Sequence, residues 1–154
     1  VVSSERKAEL CHALGAAHVV RCDQQDVVKE VLRLTGRRGV DVVFDHGGIT
    51  TWRQGIASLC WGGRIVICGA TEGFDADVDL RVLWNKQLSL LGSHVGTHSE
   101  LLASMAMVNN GLIKPCVTEV IGLADLADAI KTQRAERALA RARHLGLVGQ
   151  RQGR

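Results

Sequence analysis

The chain has 154 residues, 46% hydrophobic and 23% charged, with a formal net charge of +3; this is the chain of one globular domain with enough apolar surface for a core. No stretch free of Asp, Glu, Lys and Arg exceeds 13 residues, short of the roughly 18 that cross a bilayer, and Val1-Val2-Ser3-Ser4-Glu5-Arg6-Lys7, with no initiator Met, puts charge where a secretory signal has its apolar core. Tyr is absent beside three Trp and two Phe, which argues against a stacking surface for single-stranded nucleic acid.

In chain order, a first helix is predicted with Leu10, Cys11 and Leu14 as its stripe and Gly15 as its C′ residue. Residues 18–22 (His-Val-Val-Arg-Cys) read as a strand. Val27, Val28, Val31 and Leu32 recur at helical spacing, with Gly36 soon after. Residues 40–45 read as a second strand, Ile49, Trp52, Ile56 and Leu59 as a helix stripe, and residues 64–69 and 88–92 as further strands. Thr97-x-x-Glu100 is a capping box opening a helix expected to bury Leu101, Leu102 and Met105. Leu123, Leu126, Ala127 and Ile130 form a last amphipathic stripe. The strand runs are nearly continuously apolar, as in strands covered on both faces. The alternation predicts right-handed βαβ units in one parallel, doubly wound sheet with helices on both faces.

Ligands of such sheets bind at the carboxyl ends of the strands. Small residues gather there: Gly47-Gly48 after one run, Gly69-Ala70-Thr71 after the next, Ser93 after the last. One such cluster is an ordinary turn; three at equivalent ends point to a ligand whose approach needs open backbone. His94 and His98 are four apart, but Gly96 and the cap at Thr97 interrupt any helix between them, so no metal pair is read there. Asp45 and His46, adjacent at a strand end, point apart. Trp52, Trp61 and Trp84 read as packing residues. The five Cys contain no C-x-x-C pair. Cys22 and Cys68 read as small core residues, and the set as a reducing, cytoplasmic location. Residues 1–133 hold 13 basic and 15 acidic side chains, whereas 134–154 hold six Arg and one acid; the positive charge is a solvated tail, not a nucleic-acid arm.

Three segments carry a resemblance: Gly39-Val-Asp-Val-Val-Phe-Asp-His-Gly-Gly48, Gly62-Gly-Arg-Ile-Val-Ile-Cys-Gly-Ala-Thr71 and Lys86-Gln-Leu-Ser-Leu-Leu-Gly-Ser93. With Lys7-Ala-Glu-Leu10, Leu14-Gly-Ala-Ala17, Ile113-Lys-Pro115 and Ala127-Asp-Ala-Ile130, they resemble the medium-chain dehydrogenase/reductase superfamily over about residues 1–133. The likeness is to its zinc-type alcohol dehydrogenase and quinone oxidoreductase members. It implies an α/β fold: an incomplete Rossmann doubly wound parallel sheet, lacking the first strand and the Gly-rich loop, over residues 1–112. Residues 113–154 would then be a C-terminal segment of the catalytic domain. No G-x-G-x-x-G occurs in the chain, and the family's zinc ligands lie in an N-terminal catalytic domain. The tail departs from the family, which closes on a short Gly-Lys-apolar strand. Here Arg134–His144 reads as an Arg/Ala helix, and Leu145–Val148 only echoes that strand.

The resemblance implies a fragment of an NAD(P)H-dependent oxidoreductase that acts on a small-molecule alcohol, aldehyde or quinone by hydride transfer, inactive by itself. His46 and Gly47 would line the cofactor's ribose, Cys68, Gly69 and Ala70 the nicotinamide, and Ser93 and Val95 its carboxamide; none is a chemical catalyst. Val2 would end the second Rossmann strand, where an acid holds the ribose diol of NAD. Ser3, Ser4, Arg6 and Lys7 follow instead, hydroxyls and cations suited to a 2′-phosphate, so NADP(H) is favoured over NAD(H). The same Ser residues also suit a helix N-cap. The edge run 87–92 implies a homodimer. A non-catalytic nucleotide-binding remnant, or another Rossmann enzyme such as a methyltransferase, remains an alternative.

Overall fold

The computed structural model describes residues 1–117 and 119–144. The chain divides into two compact units, Val1–Val95 and Gly96–Arg154.

The first unit contains α1 (Glu5–Ala13), α2 (Val27–Leu34), β1 (Val40–Asp45), α3 (Ile49–Ser58), β2 (Leu59–Ile67), α4 (Leu80–Lys86) and β3 (Ser89–Gly92). Helix starts are set by side-chain caps: Ser4 accepts from the Lys7 N–H, Asp26 from Lys29, and Asp79 from Arg81, each satisfying a donor that the helix leaves orphaned. Gly15 follows α1 at φ 93°, the C′ role read from the sequence.

The three strands pair in parallel in the order β1-β2-β3, with Asp45 opposite Ile67 and Ile67 opposite Gly92. Parallel neighbours need crossover connections, which α3 and α4 supply. Trp52 and Ile56 of α3 form the core with Leu59 and Ile65 of β2, and Val43, Ile67, Val82 and Leu88 pack against it. Ile65 is fully buried. The run 87–92 does lie at the sheet edge, opposite β1.

Several expectations are corrected. Residues 18–22 are not a strand of the sheet; among the described residues they make one parallel bridge, Val2 to Arg21. β2 begins at Leu59, which leaves the α3 stripe for the strand, and ends at Ile67, so Cys68 and Gly69 lie in the turn beyond. α3 and α4 pack on the face that carries Val43 and Ile65, whereas Val42, Phe44 and Leu91 on the other face are exposed; the apolar runs read as covered on both faces. In α1 the buried residue is Ala8, with Leu10 and Leu14 exposed. α4 was not legible: it is only seven residues long and ends on Gln87 at φ 54°, where a glycine would have signalled the stop.

The second unit contains α5 (His98–Asn109), a 3₁₀ turn (Leu123–Asp125) and α6 (Leu126–His144). The capping box is present in full, Thr97 Oγ1 accepting from Glu100 N and Glu100 Oε2 accepting from Thr97 N at 2.6 Å. Leu101, Leu102 and Met105 are nonetheless exposed, as are Leu126 and Ile130, and none of residues 96–117 and 119–135 is buried. The Arg/Ala stretch to His144 is helical as read. Leu145–Val148 lies outside the described residues.

Ile65→Ala in the intact protein lowers unfolding free energy by about 2–5 kcal/mol, read from urea denaturation. The Thr97 N–H, then the Thr97 hydroxyl, hold the Glu100 carboxyl below its ordinary range. The box therefore stabilises α5 above the unfolded carboxyl pKa and is lost as pH falls through the lower, folded one. Helicity by circular dichroism should differ between Glu100→Gln and the parent at pH 7, and converge in acid.

Candidate functional site

The in-register ladder brings three turns out at one end of the sheet: Asp45–Gly48 after β1, Cys68–Gly73 after β2 and Ser93–Val95 after β3. The first two are laced together. Cys68 N–H donates to Asp45 O at 3.0 Å, Thr71 N–H to His46 O at 3.1 Å, Glu72 N–H to Gly47 O at 2.9 Å and Ile49 N–H to Gly73 O at 3.2 Å. Thr71 Oγ1 adds a bond to His46 O, and Thr50 Oγ1 one to the Glu72 carboxylate. The third turn is tied to the sheet by Ser93 N–H to Ile67 O at 2.8 Å.

Asp45 organises the first turn. It is 6% exposed, and its Oδ1 accepts from Gly47 N at 3.0 Å and Thr51 Oγ1 at 2.6 Å. Its Oδ2 is buried with no partner among the described residues. Gly48 caps α3 at φ 87°, and a Cβ there would lie 2.3 Å from the Gly73 carbonyl oxygen. Only glycine satisfies both the left-handed backbone and the closeness of the second turn.

Of the sequence-predicted residues, His46, Gly47, Cys68, Gly69, Ala70, Ser93 and Val95 all fall on these turns. His46 is exposed while Asp45 is buried, so the pair does point apart. The N–H groups of Gly69 and Ala70 have no hydrogen-bond partner among the described residues. A Cβ at Gly69 would meet nothing nearer than the His46 carbonyl at 3.6 Å, and one at Gly92 would meet nothing within 4 Å. Neither glycine is required by packing, and the backbone beside each is open. Ser93 has its N–H committed to the ladder, leaving its carbonyl and hydroxyl to offer a ligand. Ser3, Ser4, Arg6 and Lys7 stand apart at the start of α1, where Ser4 is the N-cap; no hydrogen bond joins them to the three turns among the described residues.

Sequence reading missed Asp45, Thr51 and Glu72 as the groups that shape the turns. The signal available was a carboxylate ending an apolar strand, two residues before a glycine pair. Cys68 and Cys22 are exposed and Cys60 is the buried thiol, because Cys60 enters the core with the early part of β2. Only Trp52 is buried, its indole N–H donating to Asp77 O at 3.0 Å; Trp61 and Trp84 are exposed. A groove of about 430 Å³ between Ile56, Ala57, Val78 and Val82 is lined by none of the candidate residues. Among the described residues no group of three or more His, Cys, Asp or Glu is placed to hold a metal ion, and no helix is long and apolar enough to cross a membrane.

A parallel α/β sheet with laced small-residue turns at its carboxyl end is part of a Rossmann-type nucleotide-binding fold. Residues 1–110 match the zinc-binding dehydrogenase family, and the chain belongs to it. It is 28% identical over 146 residues to the crotonyl-CoA reductase of Streptomyces avermitilis, covering 84% of this chain and 33% of that protein. It is 28% identical over 138 residues to the NAD-dependent alcohol dehydrogenase of Saccharolobus solfataricus, covering 89% and 40%. A crotonyl-CoA carboxylase/reductase solved in complex with NADP superposes with a TM-score of 0.80 at 28% identity, over 88% of this chain and 40% of that one. The chain thus spans about a third of the length of the first curated relatives it matches.

Thr51→Val leaves Asp45 with one donor, and should destabilise by about 1–3 kcal/mol, whereas Thr51→Ser should not. Gly48→Ala, which meets a backbone oxygen, should cost more than Thr51→Val in the same urea titrations.

Proposed function

We propose that this chain is the nicotinamide-side part of an NAD(P)H-dependent oxidoreductase, completed by a catalytic domain that residues from about 113 onward join. The observation that carries this reading is the row of turns at the carboxyl end of the sheet, with the Gly69 and Ala70 N–H groups, which have no partner among the described residues, at its centre. The chain's coverage of about a third of longer dehydrogenases supports the fragment reading. These turns fit a flat polar ring: open backbone at Gly69 and Gly92, two N–H donors with no partner among the described residues, and the Ser93 carbonyl. The nicotinamide, when bound, supplies the hydride acceptor or donor. The protein's share is to hold that ring, through Cys68, Gly69 and Ala70 on one side and Ser93 and Val95 on the other, with His46 and Gly47 beside the ribose. The substrate class is an alcohol, aldehyde or quinone. Zinc has no place among the described residues of this part. The exposed edge of β3 favours a homodimer through residues 87–92, and five free thiols favour a reducing cytoplasm.

The start of α1 favours NADP(H). Ser4 caps the helix, and Ser3, Arg6 and Lys7 are exposed beside it, where a phosphate meets hydroxyls, cations and a helix N-terminus together. Charge-assisted hydrogen bonds contribute roughly 1.5–3 kcal/mol each, and 1.4 kcal/mol is about tenfold in affinity. The intact enzyme should therefore prefer NADPH over NADH by at least about tenfold in kcat/KM. Arg6→Ala with Lys7→Ala should erase most of that by raising KM for NADPH alone. Equal kcat/KM for the two cofactors overturns this reading of the turn.

A further inference from the structure

One group in the turn at the start of α1 has the wrong charge for a 2′-phosphate: Glu5. A carboxylate free to swing toward a ribose accepts its hydroxyls and repels a phosphate. The Glu5 side chain is 74% exposed, yet Arg21, whose own side chain is only 14% exposed, donates from Nη1 to Glu5 Oε2. The same guanidinium forms a fork on Asp23, Nε to Oδ1 at 2.7 Å and Nη2 to Oδ2 at 2.6 Å. Its base is fixed as well. Arg21 is the bridge partner of Val2, with Val2 N–H to Val20 O and Cys22 N–H to Val2 O both at 2.9 Å, and Arg21 N–H donates to Gln25 Oε1 at 2.8 Å. The strand end that leads into Glu5 and the cation that grips Glu5 are thus one unit.

We propose that Arg21 is a positioning residue for cofactor specificity: it draws the Glu5 carboxylate against Arg21–Asp23 and so leaves the mouth of the turn to Ser3, Ser4, Arg6 and Lys7. This rests on the reading that a dinucleotide ribose sits at that turn. The bidentate fork on Asp23 fixes the guanidinium plane in a way an ammonium could not, and so aims Nη1 at Glu5. Asp23 keeps the guanidinium aimed; the pair's hydrogen bonding holds the Asp23 carboxyl below its ordinary range. Glu5, Arg6, Lys7, Arg21 and Asp23 comprise three cations and two acids. Without Arg21 the cluster is neutral and one of its acids is released into the turn.

The test uses the intact protein, with Kd for NADPH and for NADH measured by titrating the fluorescence of the reduced cofactor, which needs no substrate or turnover. Arg21→Met should lower the NADPH/NADH preference by about tenfold, the loss of roughly one charge-assisted contact, and Glu5→Gln in the Arg21→Met background should restore it. Glu5→Gln alone should change the ratio by no more than about twofold. A parent preference that Arg21→Met leaves intact, or a loss that Glu5→Gln does not rescue, overturns the clamp. A parent with no preference, in which Arg21→Met still moves the ratio toward NADH, overturns the NADP(H) reading of the turn and leaves the clamp standing. If Arg21→Met does not fold, Glu5→Gln decides alone: a gain in NADPH preference of fivefold or more means that Glu5 was never withdrawn.

Discussion

A parallel ladder forces every strand to leave the sheet at the same end, and that constraint organises this molecule. β1, β2 and β3 carry Asp45, Ile67 and Gly92 into one row, so the residues after each are neighbours whatever lies between them in sequence. The return journeys are made by α3 and α4, whose apolar faces close on Ile65. Core and candidate site are therefore two results of one arrangement: the helices that bury Ile65 also bring the next strand back to begin at the far end. The lacing of His46, Gly47, Thr71 and Glu72 then turns a row of strand ends into a shaped rim, with the buried Asp45 carboxylate as its inner brace.

How much of this was legible depended on the kind of signal. β1 and β3 could be read because a short apolar run between turn residues has few alternatives. The capping box at Thr97 could be read because it is a local exchange of two hydrogen bonds. Residues 18–22 have the same apolar signature, yet a strand is defined by its neighbour, and Val2 provides only a single bridge. The limits of β2 were misread because Leu59 fits both a helix stripe and a strand, and its burial in the core decides for the strand. The burial of Leu101 and Met105 was misjudged for a related reason: an apolar stripe states what a helix can cover, not what stands opposite it.

The candidate site was legible as a place more than as a mechanism. Glycines at successive strand ends marked it without any tertiary information. Glu72 was invisible because its bonds cross from turn to turn, 22 positions to Thr50 and 25 to Gly47; Asp45 and Thr51 bond only 6 positions apart, but their pairing depends on the turn that brings them together. The Arg21–Glu5 contact, 16 positions apart, was hidden in the same way. Taken as a list of charges, the turn at the start of α1 sets Glu5 against NADP(H); with its partner in view, the carboxylate is already engaged.

The pairing of β1 with β2 is irregular at one end only. Between the partners Val40–Leu59 and Val42–Arg64, β1 has a single residue, Asp41, while β2 has four, Cys60 to Gly63. Trp61 is 72% exposed there, and Gly62 has open space around it at φ 69°. From Arg64 onward the ladder is regular to its carboxyl end. The slack in the sheet is thus collected at the end remote from the turns. An inserted or deleted residue at Trp61-Gly62 would be absorbed in the bulge, whereas one past Arg64 would flip every later side chain of β2 to the opposite face. The fold has room for length variation between lineages at one rim and almost none at the other.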